Sequence, residues 1–165
     1  MTAHRRENLG EPIINICRAV REIASRHKDD VVFVYPVHLN PHIQQPVNSL
    51  LWDIENVILT EPLDYLPFVH LMKKAYFILT DSGGLQEEAP SLGKPVLVLR
   101  QTTERPEGVK AGCVKVIGTD FSKIVLEIND LLKNKTKYTA MSKAVNPYGD
   151  GKASQRIIKR IMKLT

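Results

Sequence analysis

A chain of 165 residues can bury one sizeable core and is too short for two full α/β domains. With 43% hydrophobic and 25% charged residues it has the balance of an ordinary soluble globular protein, and the sequence contains neither repeats nor a low-complexity tract. The net charge of +5 raises nucleic acid as a partner, but the basic residues are scattered. Their one dense run, residues 152–163, reads as the solvated face of an amphipathic helix, so nucleic acid is the weaker reading.

Near the N-terminus, Ile13, Ile16, Val20 and Ile23 mark one face of a helix opening near Pro12, a residue tolerated in a first turn. Cys17 falls on that apolar face and reads as a buried free thiol; Cys113 is far away, without metal-type spacing. Five short apolar runs follow, at residues 31–35, 57–59, 76–80, 96–99 and 114–117. They are continuous rather than alternating, as in parallel strands covered on both faces. Helical patterns fill the gaps at 41–51, 65–74 and 85–92, and three more follow: one through Ile124, Ile128 and Leu131, a short one around 138–144, and a last one running to the C-terminus. Strand-helix alternation of this kind specifies a Rossmann-like, doubly wound α/β domain spanning residues 1–165. In such sheets the first strand is central and its end lines the ligand crevice. Here His4-Arg5-Arg6 stands where that strand should just have ended, so the chain is expected to lack most or all of it. No stretch has the length of a membrane span, and polar residues follow Met1, so the default expectation is a cytoplasmic protein.

The most informative segment is TDSGGLQEEAPSLGKP, residues 80–95. A buried strand runs into Ser82-Gly83-Gly84 and then into a helix. Two glycines at a helix N-terminus let an anion approach bare N–H groups, which the helix dipole favours. On this loop alone, a phosphate cradle and a serine-capped tight turn are equally good readings. Glu88, one turn further in, would repel a phosphate and suits sugar hydroxyls better. Its neighbour Glu87 points about 100° away and reads as a surface residue. A nucleoside diphosphate satisfies both halves of the segment.

Six segments, TAHRREN (2–8), YPVHLNP (35–41), EPLDYLPF (61–68), TDSGGLQEEAPSLGKPVLVLR (80–100), TTERPEG (102–108) and NPYGDG (146–151), together resemble the C-terminal half of the non-hydrolysing UDP-N-acetylglucosamine 2-epimerases. The resemblance covers essentially the whole chain and implies the C-terminal domain of a glycosyltransferase-B architecture, with its active site between two Rossmann-like halves. It implies interconversion of UDP-N-acetylglucosamine and UDP-N-acetylmannosamine by elimination of UDP, giving 2-acetamidoglucal, and re-addition. Neither metal nor nicotinamide is implied.

By the same resemblance, Ser82, Gly83 and Gly84 cradle the diphosphate and Glu88 takes the ribose 2′ and 3′ hydroxyls. Arg105 stabilises the departing UDP anion. Leu63 and Phe68 border the uracil, although an aromatic on a helix is more often core. His4 is the catalytic candidate, since an imidazole can donate to a phosphate oxygen or move a proton near neutral pH. Arg5 and His38 match positions that hold a second, activating UDP-N-acetylglucosamine in bacterial relatives. His27, His42 and His70 read as surface or packing residues. The family's C2-proton acids lie on the N-terminal half, so this chain alone is expected to bind UDP without turnover. Expected partners are that other half, on the same or a separate chain, and a second copy in a homodimer. A glycosyltransferase C-domain and a non-catalytic nucleotide-sugar module are the competing readings.

Overall fold

The computed structural model describes residues 1–163. Five parallel strands and eight helices alternate: α1 (Glu11–Arg26), β1 (Phe33–Pro36), α2 (Pro41–Leu51), β2 (Val57–Thr60), α3 (Tyr65–Lys74), β3 (Ile78–Thr80) and α4 (Gly83–Ser91). They continue with β4 (Val96–Val98), α5 (Pro106–Ala111), β5 (Val114–Val116), α6 (Phe121–Lys133), α7 (Lys135–Ser142) and α8 (Ala153–Ile161). Helices α2 and α3 match the sequence expectation residue for residue. The short helix α5 was not foreseen, because Pro106 and Gly108 read as loop residues. The expected C-terminal helix is described to Ile161; the end of that expectation, residues 164–165, lies outside the described residues.

The strands form two sheets, β1-β2 and β3-β4-β5. Residues 1–3 lie between them: the Met1 amine donates to Val34 O at 2.5 Å. The Thr2 N–H donates to Leu79 O at 2.9 Å, and Thr2 O accepts from the Asp81 N–H at 3.2 Å. Thr2 thereby bridges Thr80 in parallel register. These three residues link the two sheets.

Side-chain direction alternates along each strand and builds a core on either face. Leu79, Leu97, Leu99 and Ile117 join one cluster with Ile13, Ile16, Val20 and Ile23 of α1 and Ile124, Ile128 and Leu131 of α6. Ile78, Val96, Val98 and Val114 join the other, with Met72 of α3 and Leu85 and Ala89 of α4. Cys17 is buried in the first cluster, which pushes its thiol up to about 12 and leaves it inert at neutral pH. Gly10, at φ 82°, makes the turn from a 3-10 segment (Arg6–Asn8) into α1, a conformation costly for any residue with a β carbon. Because all strands are parallel, their C-terminal ends bring His4, His38, Ser82 and Arg100 to one edge.

Candidate functional site

The site grows from Asp81, a fully buried carboxylate at the end of β3. Its Oδ2 accepts from the His4 N–H at 2.8 Å, the Arg5 N–H at 2.7 Å and Asn8 Nδ2 at 2.9 Å. Asn8 Nδ2 also donates to Leu99 O at 3.0 Å. One carboxylate thus fixes the start of the HRREN segment against β3 and β4. Arg100 ties the same segment to the next loop: its guanidinium, 7% exposed, bonds Glu7 and Glu104. The guanidinium donors hold the Glu104 carboxyl down at about 2.

Beside this frame stands the glycine turn. Ser82 occupies the N-cap position of α4, but its side chain makes no capping bond, so the hydroxyl is not spent on the helix. Its backbone N–H is held instead by Thr80 Oγ1 at 3.0 Å. A β carbon built on Gly84 would meet only Ser82 Oγ and Glu88 Oε1, each at 3.9 Å. Gly84 therefore lies open between a hydroxyl and a carboxylate. Glu88 Oε2 is buried and has no hydrogen-bond partner, an arrangement costly unless a donor arrives. On the other side, Arg5 Nη2 comes within 3.5 Å of the β-carbon position of Gly83. Helix N-terminus, guanidinium and orphaned carboxylate converge on this turn, which suits a ligand carrying phosphate at one end and hydroxyls at the other.

Arg105, at the N-cap of α5, pairs through Nε with Glu87 and donates from Nη1 to Glu104 O at 3.2 Å. Glu87, expected to be an idle surface residue, is instead the partner of Arg105, and it diverges from Glu88 as adjacent helical residues must. A relay that the sequence reading did not contain joins this loop to the turn. Gln86 Nε2 donates to Ser82 O at 3.1 Å, Thr103 Oγ1 donates to Gln86 Oε1, and the Arg105 N–H donates to Thr103 Oγ1 at 3.0 Å. From the far end of the chain, Tyr148 Oη accepts the Gly108 N–H at 3.1 Å, so the TTERPEG and NPYGDG segments meet. No motif periodicity marks Asp81, Gln86 or Thr103; the one available signal was their place inside quoted segments.

The rings of His4 and His38 stack with centroids 5.1 Å apart and an interplanar angle of 16°, which puts the catalytic candidate and one candidate for a second ligand on the same face. His38 Nδ1 accepts from the Asn40 N–H at 3.1 Å, which fixes that nitrogen as the acceptor. Leu63 is exposed after β2, while Phe68 is half-buried on α3 and packs against the apolar cluster containing Met72, Ile78 and Leu85. His42 and His70 are exposed, and His27 caps α1 with Nε2 at 2.8 Å from Asn129 Oδ1. Among the described residues, no helix is long and apolar enough to cross a membrane.

Comparison with known proteins places the chain in a family. The chain is 57% identical over 161 residues to the UDP-N-acetylglucosamine 2-epimerase of Escherichia coli K12, a match covering 98% of the chain and 43% of that protein. It is 54% identical over 162 residues to the Bacillus subtilis enzyme of that name, covering 98% and 42%. It superposes on the Neisseria meningitidis UDP-GlcNAc 2-epimerase bound to UDP-GlcNAc with a TM-score of 0.93 at 51% identity, covering 98% of this chain and 43% of the other. The S. aureus MnaA–UDP co-structure gives 0.95 at 51% identity, covering 99% and 45%. The chain spans less than half the length of these relatives. A family model described as UDP-N-acetylglucosamine 2-epimerase matches residues 1–162, and the chain belongs to that family.

Proposed function

We propose that this chain is the UDP-holding, C-terminal part of an isomerase that interconverts UDP-N-acetylglucosamine and UDP-N-acetylmannosamine by eliminating UDP and adding it back. The observation that carries the reading is Glu88 Oε2, buried without a partner beside the open face of Gly84. The 2′ and 3′ hydroxyls of a ribose supply the missing donors, and the pyrophosphate then falls on the Gly83 and Gly84 amides and the Ser82 hydroxyl. Leu63 and Phe68 border the uracil. Arg105 stabilises the charge that grows on UDP as the C1–O bond breaks; a guanidinium has five donors, so its bond to Glu87 does not exhaust it. His4 faces the leaving phosphate oxygen as its proton donor. Arg5 and His38 hold a second nucleotide sugar on the adjacent face.

Removing the C2 proton of the sugar requires a base that is not otherwise engaged. Around this turn Asp81 Oδ2 is committed to amides, with Oδ1 buried, Glu87 is committed to Arg105, and Glu7 and Glu104 to Arg100. With Glu88 assigned to the ribose, our reading takes the base from the remainder of the enzyme, as the family resemblance implies, and has the chain by itself bind UDP without turnover. The whole enzyme works in the cytoplasm as a homodimer supplying polysaccharide synthesis, without nucleic acid, membrane or metal partners. Calorimetric titration with UDP tests the binding half of this reading. A saturable exotherm that Glu88→Gln weakens is expected; silence in the wild type, or a variant titrating identically, overturns it. Mixing with the N-terminal half of a relative and following 2-acetamidoglucal tests the catalytic half. UDP binding with no glucal after mixing would favour a non-catalytic nucleotide-sugar module.

A further inference from the structure

Gln86 is a fully buried amide side chain on α4, one turn beyond Ser82. A polar group so placed must find its hydrogen bonds inside the fold. Ser82 O can only accept, so the Gln86 nitrogen faces it, at 3.1 Å. That leaves Oε1 as an acceptor, and Thr103 Oγ1, which bonds it, must be the donor. With its proton committed, the Thr103 oxygen turns a lone pair to the Arg105 N–H at 3.0 Å. The direction of every bond is therefore set from the Ser82 end, and a glutamate at position 86 would put a carboxylate oxygen against Ser82 O. Arg105 receives this chain of bonds at the N-cap of α5, a six-residue helix opened by Pro106. So short a helix has little stability of its own and takes its position from outside contacts. Glu87, next to Gln86 on α4, pairs with the Arg105 guanidinium, but those side chains are 38% and 40% exposed, and exposed ion pairs are weak and screened by salt. The buried link through Gln86 and Thr103 is thus the firmer of the two. Glycine turn and cation are mounted on one element, α4, which carries Ser82, Gly83 and Gly84 at its start and reaches Arg105 through Gln86.

We propose that Gln86 and Thr103 are positioning residues that set the separation between the glycine turn and Arg105, and through it the preference of the site for two phosphates over one. This rests on the diphosphate reading of the turn. Gln86 is fully buried and the Thr103 proton is spent on it, so both act through Arg105 rather than on the ligand. A nucleoside monophosphate uses the turn and Glu88 without needing the arginine. The second phosphate needs a guanidinium held at a fixed distance from the amides that take the first.

The test titrates the chain with UDP and with UMP, using Thr103→Val, which keeps the shape and removes the hydroxyl, and Thr103→Ser, which keeps the hydroxyl. Thr103→Val should weaken UDP about tenfold and UMP by less than about twofold, while Thr103→Ser stays within about twofold of wild type for both. On an Arg105→Ala background the Thr103→Val change should cost UDP less than about twofold, because no guanidinium is left to place. Equal weakening of UDP and UMP, or an undiminished loss on the Arg105→Ala background, would mean a purely structural contact and would overturn the proposal. So would an unchanged UDP affinity. Should Thr103→Val not fold, Gln86→Met breaks the link at its other end and is read in the same way; if neither folds, the pair serves folding and the proposal fails. A wild-type chain silent toward UDP would sink the diphosphate reading itself, whereas a wild type that prefers UDP, beside variants that match it, sinks the relay alone.

Discussion

Gly84→Ala separates the fold from the nucleotide more cleanly than any change to a charged residue. Gly84 does not have a positive φ, and an added β carbon would meet only Ser82 Oγ and Glu88 Oε1 at 3.9 Å, ordinary contact distances. The methyl group therefore fits the folded chain. Alanine also restricts the unfolded chain, so the variant gains about 0.5–1 kcal/mol of stability. In a domain of this size that raises the midpoint of thermal unfolding by about 1–4 °C. For a pyrophosphate lying on the turn the same methyl stands between amide and oxygen. Losing one charge-assisted hydrogen bond costs about 1.5–3 kcal/mol, or roughly tenfold to a hundredfold in UDP affinity. Differential scanning calorimetry and isothermal titration on one preparation read both effects. A variant with raised stability and unchanged UDP affinity would refute the assignment of the turn. A variant that fails to fold would refute the geometry drawn around Gly84.

Gly108→Ala is the opposite case: a β carbon would lie 2.6 Å from Tyr148 Oη and 2.7 Å from Val114 Cγ2, so we expect a loss of roughly 1–3 kcal/mol in urea unfolding. Asp81→Ala strips three buried or half-buried donors of their acceptor and should cost about 3–5 kcal/mol while abolishing UDP binding; unchanged stability would show that the HRREN segment is held by something else. Burial lowers the Met1 amine from 8.0 to about 5, so between those values the unfolded chain binds more protons and stability rises with pH, by at most about 4 kcal/mol. Glu104, lowered from 4.5 to about 2 chiefly by its bond to Arg100, adds stability above 4.5 that is lost as pH falls through about 2. Unfolding midpoints between pH 2 and pH 9 should therefore climb in two separate stages, and a flat profile from 5 to 8 would contradict the burial of the amine.

The layer pattern was legible because burial on both faces leaves a simple mark. The runs containing Ile78 and Leu79, or Leu97 and Val98, are apolar at consecutive positions, and the structure sends neighbours to opposite cores. Helices α2 and α3 carried their own boundaries: Pro41 follows the capping Asn40, whose side chain accepts the His42 N–H, and Lys73 and Lys74 close α3 against its dipole. Residues 1–3 are held between the sheets by three bonds, from the Met1 amine to Val34 O, from the Thr2 N–H to Leu79 O and from the Asp81 N–H to Thr2 O. Helix α5 was hidden: six residues opened by proline and carrying a glycine have little helical propensity, and the Gly108 N–H depends on Tyr148, forty residues away.

The site divides in the same way between what neighbours in sequence decide and what neighbours in space decide. That Glu87 and Glu88 could not both face the crevice follows from helical geometry alone. Which of them turned inward, and what the other did, depended on Arg105, eighteen positions from Glu87, reaching back to it. Likewise the glycines announced an anion site, but nothing local said that the Ser82 hydroxyl would be left out of capping. That outcome follows from Thr80 Oγ1, which already holds the Ser82 N–H, and from Gln86, which takes Ser82 O on its way to Thr103. Those bonds fix the backbone of the turn without using the serine side chain. A serine hydroxyl not spent on capping and Glu88 Oε2, buried without a partner beside the likewise unpartnered Asp81 Oδ1, are what give the turn its capacity for a ligand.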